Sequence, residues 1–224
     1  PFIGGVVGST TDESISISGK YSSASATNYG SVIVNTSSQT KKVFCIGGVA
    51  GRLHNNSSMT ATNNGPVTIT KLTCTQAYIG GLVGNTLNSA SIVNSGSANM
   101  SDGDITITTL TAKGYTGATY ACFIGGAVGY ASGAVTANNA GKLDIKTLSS
   151  TYLACIGGVV GINYAAVSGN NSGDVVIAST SSFAKSMFIG GIVGRGQANI
   201  SNSNNSGAIS NAAPMNETTG YLQL

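Results

Sequence analysis

The chain has 224 residues, a formal net charge of +3 and only 8% charged residues. Its Lys and Arg residues form no cluster larger than Lys41-Lys42, so the basic surface of a nucleic-acid-binding protein is not indicated. No apolar run reaches the ~18 residues that a membrane span needs. Because 41% of the residues are apolar and helix formers are scarce, we expect one ordered all-β domain over residues 1–224.

An internal repeat begins with the first residues. Its motif is an aromatic residue or Cys, then Ile, two Gly, two aliphatic residues and a third Gly. Copies begin at Phe2, Cys45, Tyr78, Phe123, Cys155 and Phe188. They are spaced by roughly 32 to 45 residues, a period typical of stacked-repeat folds. Since the aromatic-or-Cys position and the Ile position alternate, we expect one apolar row in the core and the other covered by loops or by a neighbouring subunit.

Two further strand signals follow each motif. A Gly that precedes alternating apolar residues predicts a half-buried strand, and it recurs at Gly30, Gly65, Gly103, Gly141, Gly173 and, more weakly, Gly207. A Leu three residues after three of these strands predicts one side chain stacking from repeat to repeat: Leu72, Leu110 and Leu148. Between the motif and this Gly lies a weaker strand signal that ends in an Asn pair.

The Asn pairs are predicted to form turns, because Asn tolerates left-handed backbone angles and can build side-chain ladders when turns stack. They are Asn63-Asn64, Asn138-Asn139, Asn170-Asn171 and Asn204-Asn205. The paired Gly of the motif predict a bulge or a close backbone approach. Ser-, Thr-, Ala- and Gly-rich insertions near Thr10–Ser25 and Thr111–Ala121 are predicted to project as loops.

Three strand signals per repeat without a helix predict a right-handed parallel β-helix, a β-solenoid of about six rungs. A six-bladed β-propeller is the alternative, although its blades need four antiparallel strands. The Ile-Gly-Gly-Val-Val-Gly and Leu-Val-Gly units also resemble the GLUG-motif repeats of secreted and cell-surface proteins. That resemblance implies a surface-attached or adhesive protein at an extracellular or cell-surface location, and it implies no catalytic residues.

The polar residues indicate neither catalysis nor a cofactor. Asp104, Lys142 and Asp174 occupy one repeat position, which predicts an alternating charge ladder at an exposed edge rather than the carboxylate cluster of a sugar-cleaving β-helix. Thr pairs suited to binding ice stop after two repeats. We therefore expect no enzyme activity. His54 is predicted to be an exposed loop residue.

The four cysteines match no metal-binding spacing. Cys45 and Cys155 occupy the aromatic position of the motif and are predicted to be apolar strand residues. A bridge between Cys74 and Cys122, which lie in neighbouring repeats, remains open. No metal site is predicted.

The two ends of the repeat are in phase. About 38 residues would separate Ile189 from the Ile3 of a following copy, which lies within the observed spacing. We therefore expect head-to-tail stacking into a filament, and the sequence alternatives are a segment of a larger adhesin and a carbohydrate-binding or carbohydrate-cleaving β-helix. The partners are further copies of the chain and surface glycans. The predicted self-association residues are Phe2, Ile3, Val6, Val7, Ile209, Tyr221, Leu222 and Leu224.

Overall fold

A computed structural model describes residues 1–9, 24–54, 58–87, 90–92, 99–115, 119–178, 180–183, 186–213 and 222–223. These residues form strands and turns, with no helix among them. In chain order the first strands are β1 (Phe2–Gly4), β2 (Val7–Ser9), β3 (Ala24–Asn28), β4 (Val32–Gly47), β5 (Ala50–Leu53), β6 (Met59–Asn63), β7 (Val67–Gly80), β8 (Val83–Thr86), β9 (Asn99–Ser101), β10 (Ile105–Ile107) and β11 (Leu110–Ala112).

The remaining strands continue the same order. They are β12 (Tyr120–Gly125), β13 (Val128–Ala131), β14 (Val135–Asn139), β15 (Leu143–Ile145), β16 (Leu148–Ser150), β17 (Leu153–Gly157), β18 (Val160–Asn163), β19 (Val167–Asn171), β20 (Val175–Ile177), β21 (Ser182–Phe183), β22 (Met187–Gly190), β23 (Val193–Gly196), β24 (Ile200–Asn205), β25 (Ile209–Asn211) and β26 (Leu222–Gln223).

Three parallel sheets form the walls of the molecule. One contains β2, β5, β8, β13, β18 and β23 in chain order, and a second contains β3, β6, β9, β14, β19 and β24. The third is a 14-stranded sheet whose two rows are joined through the long strands β4 and β7. Each strand pairs in parallel with the equivalent strands of adjacent repeats. The predicted parallel β-solenoid is therefore confirmed, and the propeller alternative, which needs antiparallel blades, is wrong.

The Ile-Gly-Gly motif forms two strands separated by a turn. In the fourth repeat, β12 ends at Gly125 and β13 begins at Val128. A Cβ on Gly125 would collide with the Val128 carbonyl, and one on Gly129 would lie 2.6 Å from the Ile79 amide nitrogen. The close backbone approach predicted for the paired Gly is confirmed and includes the third Gly. The prediction of three strands per repeat is wrong: the fourth repeat contains five, β12 to β16, because the motif forms two strands and the Leu row forms a strand of its own.

Three apolar clusters fill the solenoid. The motif Ile residues pack with the Gly-initiated strands and with Leu72, Leu110 and Leu148. Those three Leu residues are in register, as predicted. A second cluster lies between the strand after the Gly pair and the strand that ends in Asn. The third contains Phe123 and Cys155 with Ile162 of β18, so the chain's own strands cover the outer apolar row.

The Asn residues form an internal ladder rather than left-handed turns. Asn28 Nδ2 donates to Asn63 Oδ1 at 2.8 Å, and Asn139 Nδ2 donates to Asn171 Oδ1 at 2.8 Å. Each of these amides also donates to the Gly carbonyl two residues later. Among the described non-Gly residues only Asn202 has a positive φ, so side-chain pairing explains the Asn positions.

The predicted insertions are shorter than expected or only partly described. Thr111 and Ala112 belong to β11, and Ala121 belongs to β12, so the second insertion is confined to the residues between these strands. For the first insertion, residues 10–23 lie outside the described part of the chain, while residues 24 and 25 begin β3.

Candidate functional site

The two ends of the solenoid expose residues that are buried in every inner repeat. Val6 donates its amide to the Val49 carbonyl at 3.0 Å and so continues the column of Val49, Leu82, Ala127 and Val159. The four inner side chains are completely buried, whereas Val6 is 49% exposed. The core column that ends at Val6 is therefore open at this end, whereas Val32 and Val34 of the same rung are buried.

The opposite end shows the same pattern. Ile209 is aligned with Val175 and is 36% exposed, although Val175 is completely buried. Ile200 is aligned with the buried Val167 and is 45% exposed. Both core columns that end here would be covered by one more repeat.

The end strands have partners on one side only within the described part of the chain, with one exception. β1, β2 and β3 pair only with second-repeat strands, and β23, β24 and β25 pair only with fifth-repeat strands. The exception is β22, because β26 pairs with it through Met187 to Leu222 and Phe188 to Gln223. β26 thus begins a seventh rung on the outer edge of β22.

The predicted self-association residues fall into three groups. Phe2, Ile3, Val6 and Val7 lie together in the first rung, where Ile3 and Val7 pack partly against the core. Ile209 lies at the opposite end, as head-to-tail contact requires. Leu222 is already paired within its own chain, and Tyr221 and Leu224 lie outside the described residues.

An aromatic row runs along the outer wall. The ring centroids of Tyr78 and Phe123 are 4.9 Å apart in a stacked pair, and the Tyr130 ring is nearly perpendicular to both, with its centroid 5.6 Å from each. Burial raises the pKa of Tyr78, whose hydroxyl donates to Gln76 Oε1 at 3.0 Å. In the middle repeats this row is filled by the protein's own side chains.

A cleft of about 400 Å³ interrupts the row near the first repeats. Its lining includes Phe2, Tyr78, Lys41, Lys42, Arg52 and Asn85. The Arg52 guanidinium lies over the Phe2 ring, 4.9 Å from its centroid. Sequence reasoning missed this site, because Arg52 joins the two lysines only when β5 folds back beside β4. The sequence feature that could have indicated this cleft is the adjacent pair Lys41-Lys42, in a chain with only 8% charged residues.

The predicted charge ladder has a different structure. Asp104 Oδ1 accepts from the Lys142 backbone amide at 2.8 Å, and Asp174 Oδ1 accepts from the Ala208 amide at 2.9 Å. The ion pairs lie within one rung, where Asp144 Oδ2 is 2.8 Å from Lys146 Nζ and 3.5 Å from Lys142 Nζ. Asp104 and Asp174 therefore join neighbouring rungs through backbone amides rather than through alternating charges.

None of the four cysteines forms a disulfide, and all four are buried. Burial raises the pKa of Cys74 and of Cys155 to about 12, so these thiols remain protonated at neutral pH. The burial of Cys45 and Cys155 confirms the prediction that both are apolar strand residues. His54 is partly buried directly after β5, which corrects its prediction as an exposed residue.

Neither a metal-binding cluster nor a membrane-spanning helix occurs among the described residues. They contain no group of three His, Cys, Asp or Glu side chains placed to hold a metal ion. None of their elements is a helix long and apolar enough to cross a membrane. Comparison with family models, curated proteins and solved structures found no match to this chain.

Proposed function

We propose that this protein is an extracellular structural β-solenoid whose copies stack head to tail into a filament or surface fibre. The observation that carries the proposal is the exposure of core columns at both ends, at Val6 on one side and at Ile200 and Ile209 on the other. A second copy in the register of the inner repeats would place Ile192 over the exposed Val6. The contact joins two different surfaces, so it propagates as an open chain.

The energy of such a contact comes from several sources. Complete burial of a Val or Ile side chain stabilises by about 1.5–3 kcal/mol, so covering the exposed parts of Val6, Ile200 and Ile209 contributes on the order of 3 kcal/mol. Association costs roughly 4–15 kcal/mol in lost rotational and translational freedom. Strand pairing along the open edges must supply the remainder, at about 0.5–1.5 kcal/mol per hydrogen bond. We therefore expect assembly that depends strongly on concentration.

β26 lies where the next copy would bind. Leu222 and Gln223 occupy the edge of β22 that β1 of a second copy would pair with. Stacking in full register therefore requires β26 to leave this edge. A Leu222→Pro substitution, which removes a strand amide and restricts the backbone, should weaken β26 pairing and promote assembly.

The test is negative-stain electron microscopy of the 224-residue protein over a range of concentrations. We expect uniform fibres, and faster fibre growth by light scattering for Leu222→Pro. Ile209→Lys should prevent growth because it places a charge in the joined core. The matched control is Ile33→Lys, since Ile33 is 58% exposed on the side wall between the inward-facing Val32 and Val34.

The alternative is a segment of a larger cell-surface adhesin, in which covalently linked repeats would cover the open ends. It predicts short monomeric rods at every concentration, and that result would contradict the filament proposal. Equal loss of assembly in Ile209→Lys and Ile33→Lys would contradict end-to-end contact. The resemblance of the motif to GLUG repeats supports the extracellular or cell-surface location in either case.

A further inference from the structure

We propose that the cleft beside Arg52 binds a carboxylate-bearing sugar unit of an acidic polysaccharide. The cleft volume of about 400 Å³ lies within the range of small-ligand sites. The binding surface is on the side wall of the first three repeats and does not include Ile200 or Ile209. The lining does include Phe2 of β1, which the proposed filament contact would also involve, so ligand binding is measured at concentrations at which no fibres form.

A local irregularity of the sheet places two of the three cations. β4 and β7 are in register at Gln39 with Cys74 and again at Val43 with Gln76, so three residues of β4 lie opposite Thr75 alone. Those three residues are Thr40, Lys41 and Lys42. Thr75 Oγ1 donates to the Thr40 carbonyl at 2.9 Å and holds the base of this bulge. Both lysines are exposed and line the cleft.

The charge of the cleft selects an anion. Lys41, Lys42 and Arg52 line it, and no Asp or Glu belongs to its described lining. In this cleft the cations outnumber the acids, although the whole chain has a formal net charge of only +3. Clustered amines and a guanidinium are the groups that bind carboxylates through charge-assisted hydrogen bonds.

A buried amide adds a second requirement. Asn85 lines the cleft and is only 3% exposed, and its Oδ1 accepts no hydrogen bond from the described residues. A buried acceptor without a donor costs about 1–3 kcal/mol, so a ligand that donates here is favoured. Inorganic phosphate at neutral pH carries only one or two P–OH donors and no ring, whereas a sugar acid carries a carboxylate, several hydroxyl donors and a ring with an apolar face. The rings of Phe2 and Tyr78 supply the apolar surface for the sugar ring.

The residues aligned with Asn85 in the following repeats explain why the cleft occurs only near the first repeats. Asn85 aligns with Tyr130 in the next repeat, and Tyr130 aligns with Ile162. Tyr130 packs edge-on against Phe123 there, which fills the space that remains open beside Asn85. A small side chain at this position is thus what leaves room for a ligand.

The test is isothermal titration calorimetry of the full chain with tetramers of galacturonic acid, with glucuronate-containing oligosaccharides and with sialic acid. We expect at least one of these acidic sugars to bind, and its carboxyl-reduced, neutral form to bind at least tenfold more weakly. The double substitution Lys41→Gln with Lys42→Gln should lower the affinity about tenfold. Lys113→Gln is the matched control, because Lys113 is exposed and lies outside the cleft.

Further arms separate the proposal from general charge attraction. Asn85→Leu should weaken binding of the sugar more than the weak attraction of inorganic phosphate, and thermal unfolding checks that each variant is folded. Failure of all three acidic sugars to bind would overturn the proposal. Equal binding of the neutral form, of phosphate or of a Glu-rich peptide would also overturn it, as would an equal effect of Lys113→Gln.

Discussion

Ser101 interrupts the internal Asn ladder, and replacing it with Asn should stabilise the fold. In register, Ser101 lies between Asn63 and Asn139, at the position that Asn fills in the other five repeats. Ser101 Oγ and Asn139 Oδ1 are both buried without a hydrogen-bond partner among the described residues. Gly81 faces Ser101 as Gly48 faces Asn63, so the backbone opposite already leaves space for the longer side chain.

The magnitude follows from the hydrogen bonds gained. The introduced amide would donate to Asn139 Oδ1 and accept from Asn63 Nδ2, in the geometry of the 2.8 Å bond between Asn139 and Asn171. Two bonds at about 0.5–1.5 kcal/mol each, less about 1 kcal/mol for ordering the side chain, leave a net gain on the order of 1 kcal/mol. For a chain of this length that gain corresponds to a rise of about 2–4 °C in Tm.

The assay is thermal unfolding of Ser101→Asn followed by circular dichroism. The matched comparison introduces the same substitution into an Asn139→Ala background, where the acceptor is missing and the gain should shrink. Ser101→Ala, which removes the buried hydroxyl without adding an amide, should change Tm little. A lower Tm for Ser101→Asn, or an equal gain in the Asn139→Ala background, would refute the ladder argument.

Two further predictions concern the motif and the charged rung. Gly129→Ala should destabilise by about 1–3 kcal/mol or more in chemical unfolding, because its Cβ would lie 2.6 Å from the Ile79 backbone. Gly8→Ala should cost less, because the Phe2 carbonyl oxygen, its nearest neighbour, lies 3.2 Å away and has to shift only slightly. Similar losses for both would contradict this reasoning. Although burial alone would raise the pKa of Asp144, its hydrogen bond with Lys146 and the nearby lysine charges lower it below the ordinary value. Its stabilisation is therefore present above about pH 4 and lost as the pH falls through the lowered pKa. Asp144→Asn should be about 0.5–1 kcal/mol less stable at pH 7, and this difference should shrink at pH 3; a constant difference would exclude the ion pairs as its cause.

The sequence alone determined the repeat, its parallel strand architecture and the alignment of its core. Each repeat is one structural unit that contacts its neighbours, so identical positions such as Leu72 and Leu110 stack with their own equivalents. For the same reason the recurring Asn positions predict side-chain ladders from the sequence alone. The repeat period and the composition are enough to predict the contacts of a residue when its neighbours are the equivalent residues of the adjacent repeats.

The tertiary structure decided what the motif and the outer wall do. The sequence could not show that the Gly pair turns the chain back, because close packing of Gly129 on Ile79 joins backbones from different repeats. The same turn brings Arg52 beside Lys41 and Lys42, and the bulge opposite Thr75 brings both lysines to the cleft. The repeat encodes how equivalent residues stack on one another along the solenoid. Contacts between different rows of equivalent residues depend on how sharply the chain turns at the Gly pair, and only the folded structure shows how sharp that turn is.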